Sequence, residues 1–368
     1  MLVEDLETQA PAAAVPSPEP PAEAGGWRRL LGSRLAINLV TLAVTVAFSY
    51  VALSDIKLSL AWRALRTSDY WWLAAALVAF GLGDVARGAR WRSLFARGRR
   101  PPLGAATNAM MVGYLYNNIM PARAGEAARI LVLNQRSDAA PVEIVGTVVL
   151  ERLYDVFAIL VIFFAAEPWL PHVSWFGAAA VVAAVLALAL AGAAIVLALY
   201  EDKPLRLLLR PLARFSLFSG ERLERTIDEL IHGLSGLRHP LLALEAFVWT
   251  IVAWMCTAAC SYFVTVAFHL HLPFASGVLL AVAVGAGMIL PSPPAAVGVF
   301  EGAALIALQA YGIPHSSALP AAVVLHLVNF IPFVLVGAYL LHYNSRHPRA
   351  GRVEPSREPR PANAAVSR

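Results

Sequence analysis

Residues 142–166 read VEIVGTVVLERLYDVFAILVIFFAA. Wound as a helix, this run spans roughly 37 Å, enough to cross a hydrocarbon layer of about 30 Å. Glu151, Arg152 and Asp155 stand in its middle, flanked by apolar residues on both sides. A helix starting near Val142 carries Glu151 about 14 Å along its axis, close to the bilayer centre. Each charge at that depth costs a few kcal/mol on insertion scales. Glu151 and Asp155 share a face at i,i+4, so the two acids together need a cation. Arg152 lies one step round and suits either Glu126 or a substrate phosphate. An internal salt bridge fixing helix packing is the plainer alternative. Buried pairs add little net stability over apolar replacements, which makes a functional role the better explanation.

The rest of the chain has the same character. Of 368 residues, 59% are apolar and only 14% are charged, against roughly 25% charged in a soluble domain. Apolar runs recur at 35–53, 70–86, 104–120, 142–166, 174–200, 241–269, 274–290, 298–311 and 317–341. The expected fold class is therefore an all-α polytopic membrane protein. That excludes a cytosolic α/β enzyme, a secreted disulfide scaffold and a nucleic-acid-binding domain. The net charge of +5 comes from arginines at the ends of apolar runs, the pattern of cytoplasmic loops. Cys256 and Cys260 fall on one helix face as small packing residues. No zinc or haem spacing is present, so no metal or cofactor is expected.

Charge bias also sets an expected topology. Arg28, Arg29 and Arg34 precede the first run, placing the N-terminus in the cytoplasm, and Arg87 to Arg100 return the chain there after the second. Lys203, Arg206, Arg210 and Arg214 mark a further cytoplasmic loop. Only an even number of the three intervening runs can then cross, and 104–120, with Asn108, Asn117 and Asn118 and a stop at Pro121, is the weakest. Residues 104–135 are thus expected as a re-entrant hairpin from the cytoplasmic side. The C-terminal half needs an odd number of crossings to bring Arg346, Arg349 and Arg352 inside, which suits a second hairpin broken at Leu290-Pro291-Ser292-Pro293-Pro294. The expectation is about six full spans plus two re-entrant hairpins of opposite orientation, an arrangement found around midplane sites in transporters. Eight or nine plain spans with proline kinks is the alternative.

Three domains follow. Residues 1–26, with five acids and several prolines, should form a disordered tail. Residues 27–345 form the transmembrane domain, including an amphipathic surface segment at 201–240, and 346–368 a disordered basic tail.

Two further polar clusters break apolar runs. In the first, Asn117 and Asn118 precede Pro121-Ala122-Arg123-Ala124-Gly125-Glu126-Ala127-Ala128-Arg129. Pro121 stops the incoming helix, Gly125 lets the backbone reverse, and Glu126 opens a new helix at the positive end of its dipole. Arg123 and Arg129 suit a bidentate grip on phosphate. The second, Pro291-Ser292-Pro293-Pro294-Ala295-Ala296-Val297-Gly298-Val299-Phe300-Glu301, repeats the logic of proline stop, glycine and helix-opening carboxylate. Two such helix starts facing each other would direct positive dipole ends at an anion. Asn329 and Pro332 offer a weak polar contact and a kink, and His269, His271 and His326 read as boundary or packing residues. No Ser-His-Asp set, Walker loop or HExxH motif stands out, and no catalytic residue is assigned.

At these residues the chain resembles the lysylphosphatidylglycerol synthase transmembrane-domain family, the flippase-like integral membrane proteins. The carrying pieces are Asn117 to Met120 with Pro121-x-Arg123-x-Gly125-Glu126-x-x-Arg129, then Glu151-Arg152-x-x-Asp155, and Leu290-Pro291-Ser292-Pro293 leading to Gly298-x-Phe300-Glu301. The resemblance implies a domain of the cytoplasmic membrane that moves polar lipids between leaflets. In aminoacyl-lipid members a soluble transferase domain follows; here only the short tail follows Leu341, which favours translocation or an accessory role over synthesis. Pro294-Ala295-Ala296 stands where members usually carry a glycine pair, so the second hairpin is expected to be stiffer or differently shaped. The implied substrate is a polar or aminoacylated phospholipid or related glycolipid. Its phosphate would meet Arg123, Arg129 or Arg152, while Glu126, Glu151, Asp155 and Glu301 would hold a cationic group or a coupling proton. The implied partners are the lipid, a second copy of the chain or a lipid-biosynthesis enzyme. The alternative function is an enzyme or accessory subunit of lipid biosynthesis.

Overall fold

The computed structural model describes residues 68–120, 124–171, 240–288 and 294–347, with a few scattered positions besides. Among these residues the secondary structure is helical: α1 (Tyr70–Ser93), α2 (Leu103–Ile119), α3 (Gly125–Arg136), α4 (Pro141–Ala166), α5 (Pro240–Ala267), α6 (Phe274–Gly287), α7 (Val299–Ala310) and α8 (His315–Arg346). The apolar run at 35–53, most of the run at 174–200, the segment 201–239 before Pro240 and the tails 1–26 and 348–368 lie outside the described residues.

The helix ends follow local chemistry. Asp69 caps α1, its carboxylate accepting from the Trp71 N–H at 3.0 Å, as an N-cap acid should. Proline opens α4 at Pro141, where its missing N–H costs nothing. α2 ends at Ile119, before Pro121. Pro320 and Pro332 lie inside α8 without ending it.

α1, α5 and α8 are long and apolar enough to cross a membrane. α4 has the length, but every stretch of 18 residues within it includes Glu151, Arg152 and Asp155. Large apolar side chains face outward on these helices, among them Trp71, Leu77 and Val78 on α1, Leu241 and Leu244 on α5, and Leu335 and Tyr339 on α8. So much exposed apolar surface is unfavourable in water and normal against lipid tails.

Two buried apolar clusters organise the interior. Leu73, Phe80, Val264, Leu279, Leu308 and Leu325 join α1, α5, α6, α7 and α8. Trp91, Phe95, Met110, Leu133, Ile144 and Leu150 join the end of α1 to α2, α3 and α4. α1 lies along α5, and α2 packs on both α3 and α8.

Both broken stretches form helix–break–helix pairs. α2 and α3 have 17 and 12 residues, so about 26 and 18 Å as helices, each short of the hydrocarbon thickness. α6 and α7, with 14 and 12 residues, are likewise short at about 21 and 18 Å. α2 and α3 run close together: Gly125 sits against the Gly113 carbonyl and the Asn117 side chain, and a methyl group at Gly125 would overlap both. Glycine is required there for the approach of two backbones.

Gly125→Ala should therefore wedge α3 from α2 and cost about 1–3 kcal/mol, the usual price of overpacking. Thermal unfolding in detergent micelles checks this: a midpoint equal to that of the unsubstituted protein would contradict the close approach.

Candidate functional site

Six charges from α1, α3 and α4 form one network. Arg90 is the hub: its Nη2 lies 2.9 Å from Glu151 Oε1, and its Nη1 donates to Asp155 Oδ1. Trp254 of α5 donates its indole N–H to the same Asp155 oxygen at 3.0 Å. Arg129 reaches Glu151 through Nη1, at 3.2 Å from Oε1 and 3.0 Å from Oε2. Its Nε pairs with Glu126 Oε2 at 2.7 Å. Arg152 Nη2 donates to Glu126 Oε1 at 2.9 Å and flanks Glu151 and Asp155 at 3.6 and 3.7 Å. Three guanidinium groups thus meet three carboxylates and the sum is neutral, the condition for keeping charges in a low-dielectric interior.

The network has a closed end and an open end. The side chains of Arg90 and Glu151 are 2% and 1% exposed, whereas Arg152 and Glu126 are 52% and 31% exposed. Arg129 connects the two ends, buried beneath Glu126. Its guanidinium lies 5.0 Å from the centre of the Trp91 ring, a cation–π contact. That ring is fixed by an indole hydrogen bond to Thr147 Oγ1 at 3.0 Å. Beside the hub, Arg87 pairs with Asp84 at 3.0 Å and donates to Thr257 Oγ1 at 2.7 Å. Arg90 Nε and Arg129 Nη2 are buried and have no hydrogen-bond acceptor among the described residues. Such unfilled donors are costly to bury.

The other residues singled out in the sequence are distributed as follows. Asn117 Oδ1 accepts from the Gly125 N–H at 2.9 Å, closing the α2–α3 turn. Asn118 is half-buried near the end of α2. Pro121, Arg123, Pro291 and Ser292 lie outside the described residues. Glu126 stands in the first turn of α3 and Glu301 in that of α7. Glu301 does not join the arginines described here. Its Oε2 accepts from the Gly298 N–H at 2.7 Å and its Oε1 meets His326 Nδ1 at 2.6 Å.

Ala295 and Ala296 both take left-handed backbone conformations, with φ of 58° and 54°, and Gly298 follows at φ 83°. The turn before α7 keeps a shape natural to glycine although two of its residues are alanine.

The chain matches the family model of the lysylphosphatidylglycerol synthase TM region over residues 38–337. It belongs to that family. Comparison with curated proteins returns no match. Family membership and the apolar helices together make it a multi-pass membrane protein with a lipid-related function. The matched region includes every member of the charge network.

Sequence reasoning missed Arg90, which it counted among loop arginines, and it missed Asp84, Trp254 and the pairing of His326. For Arg90 a signal existed: Asp84 and Arg87 repeat at i,i+3 at the end of an apolar run, so charge continues on the helix instead of stopping at its end. For Trp254 and His326 the sequence carries no local signal.

Removing the buried acid should cost far more than removing the open one. Glu151→Gln leaves Arg90 and Arg129 short of a counter-charge and should destabilise by about 3–5 kcal/mol. Glu126→Gln, at the solvent-facing edge, should cost about 1 kcal/mol or less. Denaturation in mild detergent ranks the two, and equal costs would mean that the closed end is not closed.

Proposed function

We propose that the protein moves a lipid with a polar or aminoacylated phosphate head group, or a related glycolipid, between the leaflets of the cytoplasmic membrane. The observation that carries this reading is the half-open network of arginines and carboxylates, with donors on Arg90 and Arg129 left over after the pairs described above are made. A head-group phosphate matches the leftover donor of Arg129, next to the open end, and the exposed guanidinium of Arg152. A head-group ammonium matches the half-buried carboxylate of Glu126. Each arginine already contacts at least two acids, so a ligand can exchange for one partner without leaving a bare charge behind.

The broken pairs α2–α3 and α6–α7 support the same reading, since interrupted helices border a polar path through a membrane. In this proposal they are re-entrant hairpins that enter from opposite faces, among about six full crossings. The basic stretch from Arg92 to Arg100 lies on the cytoplasmic side, as do both termini. The site then comprises Asn117, Asn118, Pro121, Arg123, Gly125, Glu126, Arg129, Glu151, Arg152 and Asp155 at one break, with Arg90 beneath them. Pro291, Ser292, Gly298 and Glu301 line the other break.

The test is reconstitution into phosphatidylglycerol-containing vesicles with a head-group-labelled phosphatidylglycerol and a membrane-impermeant quencher. Inner-leaflet probe should become accessible at least about tenfold faster than in empty vesicles, a barrier change of roughly 1.4 kcal/mol. Arg129→Gln and Arg152→Gln should each lose most of that gain. A rate equal to that of empty vesicles overturns the proposal.

A further inference from the structure

His326 of α8 is held between two oxygen atoms. Its Nδ1 is 2.6 Å from Glu301 Oε1 and its Nε2 is 2.9 Å from the Ala295 carbonyl oxygen. A carbonyl oxygen only accepts, so Nε2 carries a hydrogen. If Nδ1 were then bare and Glu301 ionised, two lone pairs would face each other at 2.6 Å. One more proton has to lie between Nδ1 and Oε1. Whether it sits nearer nitrogen or oxygen, the pair holds one proton beyond a carboxylate plus a neutral imidazole, and its net charge is zero.

That proton is enclosed and it holds a strained element in place. The His326 and Glu301 side chains are 4% and 11% exposed. Phe300 stacks on the imidazole at 4.5 Å with an 11° tilt, and Phe330 presents its edge at 6.1 Å. The Ala295 carbonyl held by Nε2 belongs to the turn with two left-handed alanines, conformations that side-chain-bearing residues persist in only when surrounding contacts hold them. The other carboxylate oxygen of Glu301 ties the same turn at Gly298. The turn packs on α2, the helix that leads to the charge network.

The charged groups on the neighbouring helices do not bond to this pair among the described residues. Of the helices packed against α7 and α8, α6 carries no titratable residue. On α1, Asp84 and Arg87 bind each other, and Arg90 binds α4. On α2 the titratable residues are Tyr114 and Tyr116. On α5 they are Glu245, held by Arg100, with Cys256, Cys260 and Tyr262. None of these bonds or ion-pairs with Glu301 or His326 among the described residues.

We propose that the Glu301–His326 pair is a proton-binding site whose occupancy locks and releases the 294–298 turn, and that it couples proton movement to the lipid movement proposed above. Uptake adds one proton to the pair. Release removes one proton; the hydrogen that remains on the neutral imidazole stays on Nδ1 against the Glu301 carboxylate, so the bare Nε2 faces the Ala295 carbonyl oxygen, and that lone-pair repulsion withdraws the ring from Ala295. The coupling rests on the transport reading; the proton site does not.

Glu301→Gln discriminates cleanly, because glutamine offers an N–H to Nδ1 and an oxygen to the Gly298 N–H without a removable proton. Amide hydrogen exchange of the 294–302 segment, corrected for intrinsic chemistry, is compared at about pH 5.5 and 8.5, the range over which histidine switches. Protection in the unsubstituted protein should fall about tenfold or more at the higher pH, and in Glu301→Gln it should stay constant. His326→Gln, also expected to be constant, serves if the first variant fails to fold. A flat profile in the unsubstituted protein, or an unchanged slope in a folded variant, overturns the site.

In vesicles containing head-group-labelled phosphatidylglycerol, a pH step across the membrane should change the transfer rate of the unsubstituted protein and not that of Glu301→Gln. Transfer that ignores the pH step overturns the coupling. Absence of any transfer alongside pH-dependent exchange supports the proton site and defeats only the transport reading.

Discussion

The contact of Arg90 with Glu151 and Asp155 governs the arrangement around it. Two acids one helical turn apart on α4 cannot remain charged in an apolar interior without a cation between them. α1 supplies that cation from near its end, which places α1 beside α4. Trp254 of α5 completes the coordination of Asp155, so three helices that otherwise bury mainly apolar residues also meet at a single polar point. Apolar packing tolerates rotation and sliding of helices; a hydrogen-bonded ion pair does not.

Outside that closed end, the network turns into something adjustable. Arg129 and Arg152 share Glu126 at the rim, and Gly125 brings α3 close enough to α2 for Arg129 to reach inward. The rim is exposed while the hub is sealed. A fixed hub with an exchangeable rim suits the capture of a charged head group, because the ligand replaces rim contacts without disturbing helix packing.

The two helix-opening carboxylates have different fates despite similar surroundings in sequence. Glu126 pairs with Arg129 on its own helix and with Arg152 across on α4. Glu301 folds back on its own helix start and on His326. A proline, a glycine and an acid in order describe how each chain break is made. They do not describe what lies opposite the acid once the helices pack.

Much of the architecture was legible from local pattern. The apolar runs became α1, α4, α5 and α8 with shifts at their ends, and short helices end and restart between Ile119 and Gly125 and between Gly287 and Val299. The need of Glu151 and Asp155 for a cation was equally legible, because the cost of a charge in hydrocarbon is independent of its neighbours. The identity of that cation was not. Arg90 is 65 residues from Asp155, and Trp254 is 99 residues from it. His326 is 25 residues from Glu301.

Sequence alone thus determined the helical membrane class, the places where helices break and the residues that must find a partner, since these follow from backbone sterics and from solvation. Only the tertiary structure decided which partners they find, because contacts between distant helices depend on how each is rotated about its axis.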